Sequence, residues 1–211
     1  MIALILTNPE HEDFVYRVAS KYDNEHLIPV LIIKDDAERF WESFSYDVGI
    51  SFMYQHKVPA EQVKTHTWFN FHPAPLPGYK GRNLCYHAIM NGEKEFGATV
   101  HYMDEGFDTG DIIEVRKFPV QDDWTAWELS VMARMQTGIL FEEYLPKILE
   151  TRVFPRIPNR GGTYYKKTDI IEEVPVRPSD PFGQFVRAVS YKDHHPKIEI
   201  GGVKYEIVRM K

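Results

Sequence analysis

Residues 68–81 read WFNFHPAPLPGYKG, and this stretch decides how the rest of the chain is interpreted. Asn70 and His72 lie two positions apart in an alternating run, so both side chains are predicted on one face of a strand. Several prolines follow immediately and end the strand, because proline cannot donate to a sheet ladder. A hydrogen-bond donor and an imidazole are therefore expected at the carboxyl end of a strand, where open α/β sheets place their binding sites.

Outward from this stretch, apolar runs of strand length alternate with helical patterns. Ile2 to Leu6 and Leu27 to Ile33 are typical of buried parallel strands, and Thr125 with Glu128 predicts a capped helix running to about Glu150. The pattern predicts an α/β fold with a Rossmann-like, doubly wound, mostly parallel sheet. The turn after the first strand lacks the G-x-G-x-x-G fingerprint, so no dinucleotide is expected there.

The composition changes at Thr151, where prolines and glycines become frequent. A short helix is predicted around residues 184–191. Residues 197–200 and 203–208 alternate on either side of Gly201-Gly202, which predicts a β-hairpin. We therefore expect two units: a catalytic domain over residues 1–150, and a small C-terminal extension over residues 151–211 that ends in the hairpin.

Charge and composition restrict the class of protein. No apolar run approaches the ~18 residues needed to span a membrane, and the lone Cys85 allows neither an internal disulfide nor a cysteine-cluster zinc site, so a cytoplasmic protein is expected. Residues 1–150 carry 13 Lys/Arg and 24 Asp/Glu, and residues 151–211 carry 12 and 7. The acidic body argues against nucleic-acid binding. The basic tail suits a phosphorylated ligand, the acidic body of a second copy in a homodimer, or simply solvent.

A second polar stretch, MDEGFDTGD at residues 103–111, contains Asp108 between two glycines. If its loop lies beside the end of the strand that carries Asn70 and His72, then these two side chains and Asp108 converge. Such a set suits acyl transfer to an amine: the imidazole handles a proton, and the amide donates to an oxyanion, a contact worth roughly 3 kcal/mol. The carboxylate would orient the histidine. From residue chemistry alone, a purely structural histidine is the alternative.

Two segments carry a resemblance to a known family: NFHPAPLPGYKGRN at 70–83, and AIMNGEKEFGATVHYMDEGFDTGDII at 88–113. They resemble the formyltransferases that use N10-formyltetrahydrofolate. The resemblance implies the Rossmann-like fold, catalytic roles for Asn70, His72 and Asp108, N10-formyltetrahydrofolate as co-substrate, and no metal.

The resemblance also implies where the pterin ring binds: against the loop after a third predicted strand at residues 47–54, with residues 104–108 as the other wall. The sequence departs from relatives at His56 and Lys57, where apolar residues are common. The residues expected to contact the pterin are Tyr54, Gln55, His56, Lys57, Val58 and Asp104.

The acceptor is inferred from the tail. Residues 162–166, GTYYK, and the terminal hairpin are similar to those of sugar N-formyltransferases. This branch implies formylation of a nucleotide-linked amino-dideoxysugar, with a 4-amino group preferred over a 3-amino group. Such a substrate needs aromatic faces and cations for its diphosphate. The candidates that meet this need are Tyr79, Lys80, Arg82 and Tyr164, with Tyr165, Lys166 and Lys167 beside them on the tail.

Several alternatives stay open at this point. Glycinamide ribonucleotide formyltransferases usually have a glycine- and serine-rich phosphate loop after the first strand, whereas residues 6–13 read LTNPEHED. Methionyl-tRNA formyltransferases append a longer basic domain than the residues after 150 provide. A formyltetrahydrofolate hydrolase, which usually carries an added N-terminal domain, uses a related core. The last alternative is an inactive folate- or sugar-nucleotide-binding module.

Overall fold

The computed structural model describes residues 2–22, 27–29, 41, 45–169, 182–200 and 203–207. The strands are β1 Ala3–Thr7, β2 Leu27–Pro29, β3 Val48–Phe52, β4 Thr67–His72, β5 Tyr79–Gly81, β6 Glu95–Tyr102, β7 Ile112–Pro119, β8 Thr163–Tyr165, β9 Lys197–Ile200 and β10 Val203–Glu206. The α-helices are α1 Glu12–Ala19, α2 Ala60–Thr65, α3 Leu84–Met90, α4 Ala126–Glu150 and α5 Phe182–Val189.

A six-stranded sheet in the order β2-β1-β3-β4-β6-β7 forms the centre of the fold. The first four of these strands are mutually parallel, whereas β6 pairs antiparallel with β4, and β7 pairs antiparallel with β6. The predicted α/β architecture with a mostly parallel sheet is confirmed. The rest of the predicted second strand and the Gly201-Gly202 turn lie outside the described residues. Strands β9 and β10 pair antiparallel on either side of that turn.

Strand β4 shows how the sequence pattern is converted into layers. Phe69 and Phe71 are fully buried in the main core, where α1 and α4 cover one face of the sheet. Full burial of such a side chain contributes roughly 1.5–3 kcal/mol. Trp68 packs into a separate cluster on the opposite face. Asn70 and His72 alternate with the two phenylalanines, so they are placed on the face away from the main core.

Helix α4 begins with the predicted capping box. The backbone N–H of Thr125 donates to the Glu128 carboxylate at 2.6 Å, and Glu128 N–H donates back to Thr125 Oγ1 at 3.4 Å. At residues 8–11 the structure differs from the simple helix start that Asn8-Pro9 predicts. Residues Pro9–His11 form a 3₁₀ turn before α1, and the Asn8 side chain instead donates to the Met53 carbonyl at 2.9 Å.

The tail returns to the body of the molecule. Strand β8 pairs in parallel with β5, directly after the β4 strand end, and α5 packs against α3. The predicted short helix is α5, and it starts two residues earlier than expected. The division at residue 150 stays a prediction. In the part of the chain that the structure describes, no helix is long and apolar enough to cross a membrane.

Candidate active site

Strand β4 delivers Asn70 and His72 to the carboxyl edge of the sheet, as predicted from their spacing. His72 is 5% exposed, and its Nε2 is 2.8 Å from the Tyr79 carbonyl oxygen. A carbonyl only accepts, so Nε2 carries a proton and donates. The loop after β4 thus returns to hold the ring of the histidine that precedes it.

Asp108 comes from the loop after β6, where it has a left-handed backbone with φ of 56°. Its Oδ1 lies 3.4 Å from His72 Nδ1 and 3.4 Å from Asn70 Nδ2. Its Oδ2 accepts the backbone N–H of Gly81 at 2.9 Å. The structure therefore brings the three predicted catalytic side chains together, and the carboxylate touches both of the others.

His72 lies between two hydrogen-bond acceptors. One ring nitrogen faces the Tyr79 carbonyl and the other faces the Asp108 carboxylate. Both contacts to Asp108 Oδ1 are long for hydrogen bonds. The Asn70 amide and the Nδ1 edge of His72 are therefore available to an oxygen atom that enters between them.

A fourth residue, His101 on β6, belongs to this cluster and was missed by the sequence reasoning. It lies opposite Asn70 in the β4–β6 register, and its Nε2 is 3.0 Å from Asn70 Nδ2. Its Nδ1 donates to the Tyr102 carbonyl at 2.6 Å, so Nε2 is the accepting nitrogen of a neutral ring. Burial lowers the pKa of His101, and the nearby Asp108 carboxylate opposes this only in part.

Helix, strand and loop ends around these residues enclose a cleft of about 910 Å³. The lining of the cleft includes every residue predicted to contact the pterin: Tyr54, Gln55, His56, Lys57, Val58 and Asp104. The loop after β3 is held by Asn8, whose Oδ1 accepts the Gln55 N–H at 3.2 Å, and by Arg82, which donates to the Gln55 carbonyl at 2.6 Å. We name the part of the lining formed by residues 54–58 and Arg82, together with the Asp104 loop, the β3 arm.

The opposite wall of the β3 arm is the loop that contains Asp104 and Phe107. Asp104 Oδ1 accepts hydrogen bonds from Gly106 N–H at 2.9 Å and from Thr109 Oγ1 at 2.5 Å, which folds the loop on itself. Phe107 is 47% exposed, and Lys57 Nζ lies 5.3 Å from the centre of its ring. The two predicted walls therefore contact each other across the arm.

The four residues predicted to bind the acceptor are not found together. Tyr79 and Lys80 are buried and do not line the cleft. The Tyr79 hydroxyl donates to Glu93 at 2.8 Å, and Lys80 Nζ donates to the Gly161 carbonyl at 2.9 Å. The pairing of β5 with β8 explains this, because both side chains contact the tail. The Tyr79 ring stacks on Tyr165, and Lys80 binds Gly161.

Arg82 and Tyr164 do line the cleft, but on the side of the β3 arm. Arg82 is bound to the Gln55 carbonyl, and the Tyr164 ring lies 6.4 Å from the Phe107 ring. Of the neighbouring tail residues, Lys167 also lines the cleft, whereas Tyr165 stacks between His87 at 4.0 Å and Tyr79 at 5.5 Å.

A second set of lining residues, which we name the α4 arm, comes from the 3₁₀ turn after β1, the start of α3, helix α4, and the end of α5 with the residues after it. Its polar lining residues are Glu10, His11, Ser130, Arg134, Tyr191 and His194. Arg134 is half-buried, donates to the Tyr191 hydroxyl at 3.0 Å and lies 4.9 Å from the Trp127 ring. Nothing in the sequence pattern of α4 distinguishes Arg134 from an ordinary surface cation, so sequence reasoning missed it.

The described residues contain no group of three or more His, Cys, Asp or Glu side chains arranged to hold a metal ion. The single cysteine, Cys85, lines the cleft beside the start of α3. Burial raises the pKa of its thiol to about 12, so the thiolate is disfavoured.

Comparison with solved structures supports the fold. A 4-N formyltransferase from Francisella tularensis superposes with a TM-score of 0.78 at 21% identity, covering 99% of this chain and 96% of that one. An N-formyltransferase from Helicobacter canadensis, solved with folinic acid and dTDP-3-aminofucose, superposes with a TM-score of 0.75 at 19% identity, covering 96% of this chain and 85% of that one. At these identities the likeness establishes the fold alone.

Comparison of sequences identifies the family. GDP-perosamine N-formyltransferase from Brucella melitensis biotype 1 is 34% identical over 118 residues, which is 54% of this chain and 46% of the relative. Methionyl-tRNA formyltransferases match at 30–34% identity over 121–138 residues. The chain spans less than half the length of these curated relatives. The family model described as formyl transferase matches residues 7–143, and the chain belongs to the formyl transferase family.

Proposed function

We propose that the protein transfers a formyl group from N10-formyltetrahydrofolate to the amino group of a nucleotide-linked amino-dideoxysugar. The observation that carries the proposal is the convergence of Asn70, His72 and Asp108 in one cleft whose lining also includes both arms. A transferase needs to hold a donor and an acceptor on either side of its reacting groups. The two arms provide one place for each.

The side chains suit each step of such a transfer. The acceptor's neutral amine attacks the formyl carbon, and the carbonyl oxygen becomes an oxyanion. Asn70 and His72 donate hydrogen bonds to that oxygen from Asn70 Nδ2 and His72 Nδ1, each of which lies 3.4 Å from Asp108 Oδ1. As the carbon–N10 bond breaks, the proton lost by the amine is delivered to N10, and Asp108 assists its movement. The products are a formamide and tetrahydrofolate.

The β3 arm is the proposed site of the folate. The loop of residues 54–58 on one wall and Asp104 and Phe107 on the other line a slot suited to a flat heterocycle. The family membership and the folinic acid present in the Helicobacter canadensis relative support this assignment. Lys57 and Arg82 at the edge of the slot suit the carboxylates of a folate tail.

The α4 arm is the proposed site of the acceptor. Its half-buried Arg134 has one N–H directed at Tyr191, and a guanidinium carries five N–H donors in total, so several remain for an anion. An acceptor that carries anionic groups, such as a nucleotide-linked sugar, fits this cation better than an acceptor without charge would. The names of two relatives, one acting on GDP-perosamine and one crystallised with dTDP-3-aminofucose, support a nucleotide-sugar acceptor.

A 4-amino acceptor is proposed ahead of a 3-amino acceptor, as the resemblance to sugar N-formyltransferases implies. The relatives point both ways, because a 4-N formyltransferase and a complex with a 3-amino sugar both share the fold. A cytoplasmic location, the absence of nucleic-acid partners and a homodimer stay predictions.

The decisive experiment offers the protein N10-formyltetrahydrofolate and one acceptor at a time, and follows product mass. The acceptor panel contains dTDP- and GDP-linked 4-amino and 3-amino dideoxysugars, glycinamide ribonucleotide and methionyl-tRNA. Formylation of a nucleotide sugar is the expected result. Formyl transfer only to methionyl-tRNA or glycinamide ribonucleotide would overturn the proposal, and formate release that needs no acceptor would indicate a hydrolase instead.

A further inference from the structure

A residue of the tail contacts the loop that carries Asp108. Asn159 follows Ile157, whose backbone exchanges two hydrogen bonds of 2.8 Å with Ile112 at the start of β7. From there, Asn159 Nδ2 donates to the carbonyl of Asp108 at 2.9 Å and to the carbonyl of Gly110 at 3.0 Å. Both hydrogen atoms of the amide are therefore used on one loop.

The backbone conformation of this loop is unfavourable, so the loop depends on contacts that hold it in place. Asp108 is a non-glycine residue with φ of 56°, and a left-handed backbone costs an L-residue roughly 1–2 kcal/mol. Gly110 is packed so closely that an added Cβ would lie 2.0 Å from the Tyr102 carbonyl oxygen. The Asn159 amide bridges the two carbonyls on either side of Thr109, so it holds the turn that aims the Asp108 carboxylate.

The same tail segment fixes the other partner of that carboxylate. Asp108 Oδ2 accepts from Gly81 N–H in β5, and β5 is paired with β8 of the tail. Thr163 N–H donates to the Gly78 carbonyl at 3.1 Å, and Lys80 Nζ holds the Gly161 carbonyl. Residues 157–165 therefore contact both loops that determine where Asp108 lies.

We propose that Asn159 is a positioning residue for the reaction: it holds Asp108 where the carboxylate reaches His72 and Asn70. The role rests on the proposed formyl transfer and goes beyond it, because it makes the tail a working part of the active site. Asn159 itself is absent from the lining of the cleft, so it acts through Asp108 rather than on the substrates.

Three variants test the proposal by steady-state kinetics. Asn159→Ala removes the bridge, and Asn159→Asp keeps the shape but directs a carboxylate oxygen at two carbonyl oxygens. Both are expected to lower kcat by up to about 100-fold, the effect of a misplacement near 1 Å, with KM for both substrates little changed. Arg160→Ala, at the exposed next residue, is the matched control and keeps kcat. Raised KM values with kcat intact would overturn the proposal.

A double-mutant cycle separates positioning from general stabilisation. In an Asp108→Asn background, Asn159→Ala is expected to cause no further loss of kcat, because the carboxylate through which it acts is already gone. A full additional loss would show that Asn159 works by another route. Thermal unfolding of each variant, together with Asn159→Gln as a variant that keeps the donor amide, accounts for effects on folding.

A spectroscopic readout keeps the test independent of the acceptor. The imidazole ¹⁵N–¹H signals of His72 are identified by their loss in His72→Gln, and Asp108→Asn shows how they respond when the carboxylate partner is lost. Asn159→Ala is expected to move them in the same direction, and Arg160→Ala to leave them in place. If the wild-type protein formylates no acceptor, the proposed function fails, yet these signals still decide the positioning role. Signals unchanged in Asn159→Ala would overturn it.

Discussion

Asn70 and His101 lie opposite each other on antiparallel strands β4 and β6, with 3.0 Å between Asn70 Nδ2 and His101 Nε2. Because His101 Nδ1 already donates to the Tyr102 carbonyl, the ring can accept from Asn70 only in its neutral form. His101 thereby fixes which end of the Asn70 amide faces Asp108. His101, a buried neutral histidine, thus orients the candidate catalytic Asn70.

The first prediction concerns the pH dependence of stability. Burial lowers the pKa of His101 in the folded state, so below the usual value near 6.5 the unfolded chain binds a proton that the folded chain does not. The contribution of neutral His101 to the free energy of unfolding is therefore fully present above pH 6.5. It falls as the pH decreases, by at most about 1.4 kcal/mol per pH unit for one histidine. His101→Gln is expected to reduce this slope in denaturant unfolding between pH 8 and pH 5. His11 and His87, whose pKa values burial also lowers, leave a residual slope. Equal slopes for the two proteins would contradict the assignment.

The second prediction concerns catalysis. His72→Ala is expected to lower kcat for formyl transfer by about 100-fold to 10,000-fold, the usual range for a positioned acid or base. The matched control is His66→Ala, a half-buried histidine outside the cleft, which is expected to keep wild-type turnover. Near-wild-type kcat in His72→Ala would remove this residue from the mechanism.

A third prediction separates the two arms of the cleft. Arg134→Gln is expected to raise the KM of an anionic acceptor by about 10-fold or more, because hydrogen bonds to charged groups contribute roughly 1.5–3 kcal/mol. The KM for N10-formyltetrahydrofolate is expected to stay unchanged. Arg17→Gln, on α1 and outside the cleft, serves as the control. An effect on the folate KM alone would exchange the assignments of the two arms.

The tail–body contact is tested by two adjacent glycines. Gly161 and Gly162 have φ of 74° and 77°, so alanine is strained at both. An added Cβ at Gly162 would lie 1.6 Å from the Pro77 carbonyl oxygen, whereas at Gly161 it would meet nothing within 4 Å. Gly161→Ala is expected to cost about 1 kcal/mol of unfolding free energy, and Gly162→Ala clearly more. Equal losses would mean that the tail is not packed against this loop.

The start of α4 provides the fifth prediction. Thr125→Ala removes the capping-box oxygen and is expected to cost about 1 kcal/mol of unfolding free energy. The loss should be smaller in a Glu128→Ala background, because the two side chains cap the helix end reciprocally. Gln121→Ala, at an exposed position before the helix, is the control for both measurements by denaturant unfolding.

The local part of the fold and site could be predicted from sequence, and particular residues show why. Asn70 and His72 share a strand face because side chains alternate along any strand, and Thr125 caps α4 through a contact three residues away. Tyr79 and Lys80, which were predicted to bind the acceptor, are buried against other parts of the chain and do not line the cleft. Their orientation depends on the β5–β8 pairing, which no local pattern encodes.

The sequence by itself determined the α/β architecture, the strand end that presents Asn70 and His72, and the glycine-bounded loop of Asp108. These features follow from local periodicity and from the backbone preferences of proline and glycine. Only the tertiary structure decided that His101 faces Asn70, that Arg134 lies in the α4 arm, and that Asn159 reaches Asp108 from 51 positions away. Strand register and tail docking are set by the simultaneous packing of many distant side chains, so they become readable only when the whole chain has folded.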